Sequence, residues 1–451
     1  MARIGGRAVV VGAGMAGLFS ARVLSDHFDH VVVVDRDEIP DGPATRGGVP
    51  QGKHFHALLP GGMDVACDLF AGFERELVDA GSVVARPGDF YFYRPEGKSY
   101  AIMDYNPEPP KAGASLYCQT RGLLEHIVRK RVEALPNVET RYETPVRDPL
   151  IVGSRVTGVR IQGEDLEADL VVDAAGRASR CDRWLPQLGF DPPEESVVNV
   201  DFAYTSVLFA PDNAEAFEGV GFFVLPPLEG PYVQRGAALV RMEHDTWMVS
   251  LGGRFGDYPP QDIEGFVDYT KTLAYPFVYE LLQDAQPLTE PVRYRYPKAV
   301  RRHFERFERF PEGLVPIGDA ICHFNPIYGQ GMSSAMQQVV ALGGLLRRRC
   351  EQGRGLDGLA LEFFPEANEI IRGPWAIAAA ADFQNPLTTG DFPTEETPAL
   401  EMLLLLSERA RTDEDAEQLV TDVFLIRRPL SALLEPPWPQ TVGASFASGT
   451  S

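Results

Sequence analysis

The chain has 451 residues, of which 44% are hydrophobic and 24% charged, and a formal net charge of −22. That length calls for two or three domains rather than one core, with the balance of a soluble globular protein. So acidic a chain argues against nucleic acid or an anionic membrane as partner, since both select basic surfaces; the charge serves solubility.

Ala8 to Val11 is a compact apolar run, followed by Gly12-Ala13-Gly14-Met15-Ala16-Gly17 and a helical Leu18 to Leu24. A second run, Val31 to Val34, ends in Asp35. Strand, glycine turn, helix, strand and acid in this order make a dinucleotide-binding unit. Gly12 permits the tight turn, Gly14 lets a pyrophosphate approach, and Gly17 allows close helix–strand packing. Asp35 lies roughly twenty residues on, where a carboxylate takes the adenosine ribose hydroxyls and disfavours an added phosphate there. FAD or NAD is therefore expected rather than NADP.

Thr45 to Gly62 is a Gly/Pro loop leading into a helix from about Met63, and it concentrates Arg46, Lys53, His54 and His56. Arg46 and one histidine, His54, are expected to line a cofactor or gate its site; the bland alternative is a surface loop with a capping histidine. No carboxylate or cysteine stands beside His-x-His at ligand spacing, so no metal is expected. Phe90 to Tyr93 and Tyr100 to Tyr105 read as two strands of a separate sheet, and an amphipathic helix runs from Gln119 to about Ala134. Arg121 stands in its first turn, where a cation opposes the helix dipole. A nearby anion such as a pyrophosphate would account for it, and so would a surface salt bridge.

Val146 to Ile161 reads as a hairpin, and Glu167 to Asp173 as a buried strand ending in the turn Ala174-Ala175-Gly176-Arg177. From Val197 the period becomes two. Val198, Val200, Phe202 and Tyr204, then Trp247, Val249 and Leu251, alternate with polar or small residues. This is the pattern of an antiparallel sheet with one covered face, expected to form a substrate-facing wall. Phe222, Phe223, Tyr232 and Trp247 are expected to be core.

The run Leu314 to Ile317 ends in Gly318-Asp319-Ala320; an irregular segment from Pro326 through Gly329 to Gly331 and Met332 follows, then a helix from Ser333 to Leu346. An acid at a strand end can bind ligand hydroxyls, and a fresh helix N-terminus offers free N–H groups. Beyond it, Leu359 to Ile371 and Leu400 to Arg409 read as helices separated by the Pro/Thr-rich Phe383 to Pro398, and the tail from Gly443 as frayed. The scattered Cys67, Cys118, Cys181, Cys322 and Cys350 show no Cys-x-x-Cys pairing, which suits a reducing cytoplasm. No apolar run nears the ~20 residues needed to span a bilayer. With no signal peptide before the first strand, a cytoplasmic location is expected.

Three blocks together, Gly12 to Asp35, Asp173-Ala174-Ala175-Gly176-Arg177, and Gly318-Asp319 with Pro326 to Met332, resemble the group A FAD-dependent monooxygenases. That is the fold of aromatic hydroxylases and squalene epoxidase. The Arg46-to-Gly62 loop, Asp173 to Leu185 and the final helical region are most similar to actinobacterial natural-product members, including polyether-antibiotic epoxidases. The resemblance implies an α/β fold with an α+β insertion: a Rossmann-like FAD-binding domain, an antiparallel-sheet substrate domain and C-terminal helices. The FAD-binding parts would be 1–80, 111–190 and 301–346, the substrate parts 81–110 and 191–300, and the helical region 347–451.

By the same resemblance Gly12, Gly14 and Gly17 contact the FAD pyrophosphate, Asp35 the ribose and Arg121 the phosphate region. Asp319 holds the ribitol, and the amides of Gly331 and Met332 face the pyrimidine edge of the isoalloxazine. Ala13, Met15, Ala16, Arg36, Arg46, His54, Val146, Pro326 and Gly329 complete the expected cofactor-binding set. NAD(P)H would reduce FAD, and O₂ would then form a flavin hydroperoxide that delivers one oxygen to an electron-rich ring or double bond of a hydrophobic aromatic or polyene substrate. The family's middle block is acid-Gly-x-x-Ser-x-x-Arg, whereas here Asp173 and Gly176 stand apart. No catalytic base is assigned, which leaves hydroxylase and epoxidase open. A flavin-dependent halogenase shares the first block but carries a Trp-x-Trp-x-Ile-Pro segment absent here. An NAD-only dehydrogenase or a non-catalytic flavin-binding redox sensor are the further alternatives.

Overall fold

A computed structural model describes residues 3–56, 58–94, 97–99, 108–110, 113–210, 219–226, 234–275 and 277–438. The expected strand Tyr100 to Tyr105, Tyr232 and the tail from Gly443 lie outside the described residues.

Five parallel strands form the first layer in the order Leu314–Pro316, Leu170–Asp173, Gly5–Val11, Phe28–Val34, Val138–Arg141. The valine runs are buried on both faces, as continuous β-branched runs in a helix-covered parallel sheet must be. Val11 is paired with both Val34 and Asp173, and Asp173 with Pro316. The strands therefore end level with one another. The residues just beyond three of them, Gly12, Asp35 and Ala174, open on one crevice, where ligands bind in open α/β sheets. The helix Gly331–Glu351 packs beside Met15–Leu24, and a Cβ at Gly343 would lie 2.4 Å from Val23 Cγ1. Glycine is what lets the two helices approach so closely.

The second layer is a nine-stranded sheet. Its order is Cys322–His323, Val292–Arg302, Glu195–Phe209, Trp247–Arg254, Gly236–Arg241, Gly221–Val224, Phe90–Arg94, Gly97–Ser99, with Thr389–Gly390 beside Glu195–Phe209. It is antiparallel except where Phe90–Arg94 meets Gly221–Val224 in parallel. That strand comes from a distant part of the chain rather than through a hairpin, so no tight turn imposes its direction.

The expectation of one covered face holds along Trp247–Arg254, where burial alternates from Val249 on, and needs correction along Phe202 to Val207. Phe202 to Val207 are all buried, because the sheet is sandwiched. Trp247, Val249 and Leu251 pack with Phe266 and Tyr269 on one side, while Ser250, Gly252 and Arg254 line a cavity on the other. Phe222 and Trp247 are core, whereas Phe223 reaches the cavity.

At the C-terminal end the helix beginning at Leu359 continues through Pro374 to Asp382, eleven residues past the expected Ile371. Thr397–Arg409 follows, and Glu414–Phe424 adds a helix that the sequence reading missed. These helices close over Ile377, Leu403, Leu406, Leu419 and Val423 as a separate small core. No helix among the described residues is long and apolar enough to cross a membrane.

Candidate active site

One cavity of about 1560 Å³ runs from the parallel-strand crevice to the antiparallel sheet and the C-terminal helices. At its first end Gly12 has φ +103°, and a Cβ there would lie 2.6 Å from the Ala174 carbonyl oxygen. A Cβ on Gly17 would lie 1.8 Å from the Gly12 oxygen. Only glycine fits either place. Gly14 differs: its nearest neighbour is Arg46 Nη2 at 3.7 Å, so the space above it is open. Gly14 caps the helix Met15–Leu24 without a side-chain hydrogen bond, and no acid occupies the first turn. Free N–H groups and the dipole suit this turn to an anion.

Asp35 stands beside that turn. Its Oδ2 accepts from the Ala13 N–H at 2.5 Å and from Arg46 Nη1 at 2.9 Å, and its Oδ1 from the Asp37 N–H at 2.9 Å. Arg46 also donates to Asp37 at 2.9 Å and to Glu125 at 2.6 Å, and Arg121 donates to Glu125 at 3.0 Å. Burial alone would raise the Glu125 carboxyl, but Arg121 and Arg46 outweigh it and hold it below the usual range. Arg121 is itself buried and also reaches Met332 Sδ. It belongs to a buried network, not a surface salt bridge.

Further along, the turn Gly318–Ala320 sets Asp319 against the cavity, and a Cβ on Gly331 would sit 3.9 Å from Asp319 Oδ1. Burial pushes the Asp319 carboxyl up to about 6 against the pull of Arg177 and Arg121. The single turn Pro326–Tyr328 ends in Gly329 at φ 67°, and the long helix starts at Gly331. Its Gln330 cap makes no capping hydrogen bond, and Gln330 Oε1 is buried without a partner. The free amides of Gly331 and Met332 and this orphaned acceptor fit a polar ring edge.

The Asp173 turn is self-contained. Asp173 accepts from the Ala175 N–H at 3.0 Å, Ser179 Oγ at 2.7 Å and Cys181 Sγ at 3.2 Å. Arg177 swings out instead, bonded to the Tyr294 hydroxyl and 5.2 Å from the Tyr296 ring centre. Behind Tyr296, His323 Nδ1 lies 2.7 Å from its hydroxyl, and burial depresses this imidazole to about 3. At the C-terminal side, buried Asp382 accepts from Arg254 at 2.8 Å, Asn325 at 2.9 Å and Tyr328 at 3.0 Å. One carboxylate thus ties the sheet, the loop before the long helix and the C-terminal helices together.

Of the residues singled out in the sequence, Gly12, Gly14, Met15, Ala16, Asp35 and Arg36 line the cavity. So do Arg46, Arg121, Val146, Asp319, Pro326, Gly329, Gly331 and Met332. Among the described residues Ala13, Gly17 and His54 are not in its lining. Ala13 acts through its N–H, Gly17 through helix packing, and His54 is 1% exposed with Nδ1 2.7 Å from Ser206 Oγ. The loop histidine that lines the cavity is His56. Its Nδ1 donates to the His54 carbonyl at 3.0 Å, which leaves Nε2 as an acceptor; burial depresses it to about 4. Arg254, Ser250 and Asp382 were not found from the sequence, because no local motif marks them.

The family described as "FAD binding domain" matches residues 7–359. Protein Rv3254 of Mycobacterium tuberculosis is 34% identical over 393 residues, covering 83% of this chain and 80% of that protein. The 6-hydroxy-3-succinoylpyridine 3-monooxygenase HspB of Pseudomonas putida is 25% identical over 363 residues, or 78% of this chain and 81% of that one. Among solved structures, the flavin-dependent brominase Bmp2 superposes with a TM-score of 0.65 at 14% identity, covering 98% of each chain. PqsL of Pseudomonas aeruginosa, a probable FAD-dependent monooxygenase, gives 0.60 at 18% identity over 84% of this chain and 97% of that one. At such identities the structures speak for the fold alone. The chain belongs to the FAD binding domain family and has the fold of the group A flavoprotein monooxygenases.

Proposed function

We propose that the protein is a FAD-dependent monooxygenase that takes electrons from NAD(P)H and transfers one oxygen atom from O₂ to an electron-rich ring or double bond of a hydrophobic natural-product intermediate. The observation that carries this reading is the continuity of the cavity. It joins the dinucleotide crevice, Asp319 and the Gly331 helix end to an aromatic wall that includes Phe92 and Phe223. At about 1560 Å³ it exceeds the roughly 300–1,000 Å³ of a single small-ligand site, which suits a cofactor and a second molecule together.

The residues present fit FAD. Gly12 to Gly14 and the helix end they open onto would take the pyrophosphate, with Arg121 beside it. Asp35 Oδ1, with one hydrogen bond made, would take a ribose hydroxyl. Asp319 would take ribitol hydroxyls, and the Gly331 and Met332 amides the pyrimidine edge. When bound, FAD supplies the electron transfer and oxygen activation that no side chain here provides. The chain's own part is to place charge and exclude water. The amides at the start of Gly331–Glu351 stabilise negative charge set against them. Asp382 holds Arg254 and Tyr328 in place at the wall. The C-terminal helices close the far end, strengthening every electrostatic contact inside. The reductant's phosphates would meet Arg36 and Arg177, exposed beside the cavity in an otherwise acidic chain. Asp173 would not serve it, because its carboxylate already accepts three hydrogen bonds.

The test is product mass spectrometry with NAD(P)H, ¹⁸O₂ and a panel of aromatics, polyenes and extracts of the organism. One labelled oxygen in a product is expected; substrate-independent NAD(P)H oxidation with no labelled product would overturn the reading. Products that form only with added bromide or chloride would favour a halogenase instead.

A further inference from the structure

The substrate end of the cavity has a polar anchor with a built-in direction. Phe92, Phe223, Ala238 and Ser250 are register partners on four successive strands, and all line the cavity. Ser206 pairs with Ser250 on the next strand. The row is apolar until it reaches Ser250, whose Oγ lies 2.6 Å from Ser206 Oγ. Ser206 Oγ lies in turn 2.7 Å from His54 Nδ1, and His54 Nε2 is buried with no partner.

This chain of three side chains cannot be neutral in direction. Burial depresses His54 to about 3, so the ring is uncharged, with one N–H and one lone pair. If the proton were on Nε2, a buried donor would be orphaned; if it is on Nδ1, only a lone pair goes unmatched. Orphaned buried N–H groups are the rarer of the two in folded proteins. With the proton on Nδ1, His54 donates to Ser206, Ser206 donates to Ser250, and the Ser250 O–H is left to donate into the cavity.

We infer that Ser250 is a specificity-determining hydrogen-bond donor, and that the ligand it selects is a hydrophobic ring system bearing a carbonyl-type acceptor oxygen. This names a substrate class for the site proposed above and rests on that reading in taking this end as the substrate end. A proton on Nε2 would reverse the chain and make Ser250 an acceptor, and the naphthol probe below reads that outcome.

The test measures binding, not turnover, by equilibrium dialysis of the purified full-length protein as isolated. The probes are methyl β-naphthyl ketone, its isopropenyl analogue with CH₂ in place of the carbonyl oxygen, and β-naphthol. The native protein is expected to bind the ketone roughly two- to tenfold more tightly than the isopropenyl analogue, the span of one net hydrogen bond. That ratio should fall to about one in Ser250→Ala and narrow in Ser206→Ala. All the probes share the same ring, so a general loosening of the wall moves them together and leaves the ratio alone. Equal binding of ketone and isopropenyl analogue by the native protein, or a ratio that survives Ser250→Ala, overturns the inference. A Ser250-dependent preference for β-naphthol over the ketone overturns its direction. A labelled-oxygen failure with this ratio intact would remove the monooxygenase reading and leave the anchor standing.

Discussion

Two turns at the ends of neighbouring parallel strands begin alike and finish differently. The first follows Leu170–Asp173 and the second follows Leu314–Pro316, and they touch: a Cβ on Gly176 would lie 3.7 Å from Asp319 Cβ. Each carries an aspartate, Asp173 fully buried and Asp319 half-buried against the cavity, whose carboxyl is raised by desolvation. Asp173 satisfies itself within its own turn, through Ala175, Ser179 and Cys181. Asp319 finds no hydrogen-bond donor among the described residues and relies on the more distant charges of Arg177 and Arg121. A buried polar group that is fully matched inside holds architecture. One left unmatched beside a cavity is the one proposed above to take ligand hydroxyls. The difference separates an acid matched within its own turn from the acid proposed to bind ribitol, where sequence position alone could not.

The comparison is most sharply tested by titration. The Asp319 carboxyl moves from 3.8 to about 6 on folding, which is worth roughly 3 kcal/mol. The folded state holds this proton more tightly than the unfolded one. The charge that appears between pH of about 4 and about 6 therefore costs stability, and the loss persists at higher pH. Asp319→Asn should stabilise the flavin-free protein above a pH of about 6 and change little below about 4. Denaturant unfolding at both ends of that window checks it; a stability difference that does not vary with pH would remove Asp319's special standing.

Next in size is flavin binding. Asp319→Ala should weaken FAD by roughly ten- to a hundredfold, the worth of a hydrogen bond to a charged group, with the fold retained. Full flavin occupancy in the purified variant, read from its visible absorbance and circular dichroism, would count against the role. Asp173→Ala should do the opposite. It leaves the Ser179, Cys181 and Ala175 donors unmatched and should cost about 1–3 kcal/mol of stability, with FAD affinity per folded molecule nearly unchanged. If flavin affinity falls as far as in Asp319→Ala, the two turns are not distinct. Smallest is Ser179→Ala, which removes one of the three bonds and should cost about 1 kcal/mol. A thermal shift matching that of Asp173→Ala would mean that the other two bonds contribute nothing.

Much of the nucleotide end was legible because its constraints are local. A glycine that must take φ +103° and a glycine pressed against a carbonyl leave their mark at fixed spacing in the chain. The acid after the second valine run is equally plain. The extent of the helices was less so. Leu359 to Asp382 carries two prolines, Pro365 and Pro374; the expected helix ran through the first and stopped short of the second, yet tertiary packing of Phe363, Ile371 and Trp375 holds it together across both. The histidine pair shows the same limit. His54 and His56 stand two residues apart, and only the docking of the loop onto the sheet turns one towards Ser206 and the other to the cavity.

The dinucleotide-binding layer, the change to a two-residue period where the second sheet begins, and the Gly318-Asp319 turn ahead of a fresh helix are all legible in the chain alone. These follow from backbone sterics and hydrophobic periodicity, which act over a few residues and are written into the order of the chain. Tertiary packing alone settles which acid is matched, which histidine lines the cavity, and that Ser250, Ser206 and His54 stand in a row within hydrogen-bond distance of one another. Those outcomes depend on strand register and on burial, which bring together residues 44 and 152 positions apart and set the cost of leaving any one of them without a partner.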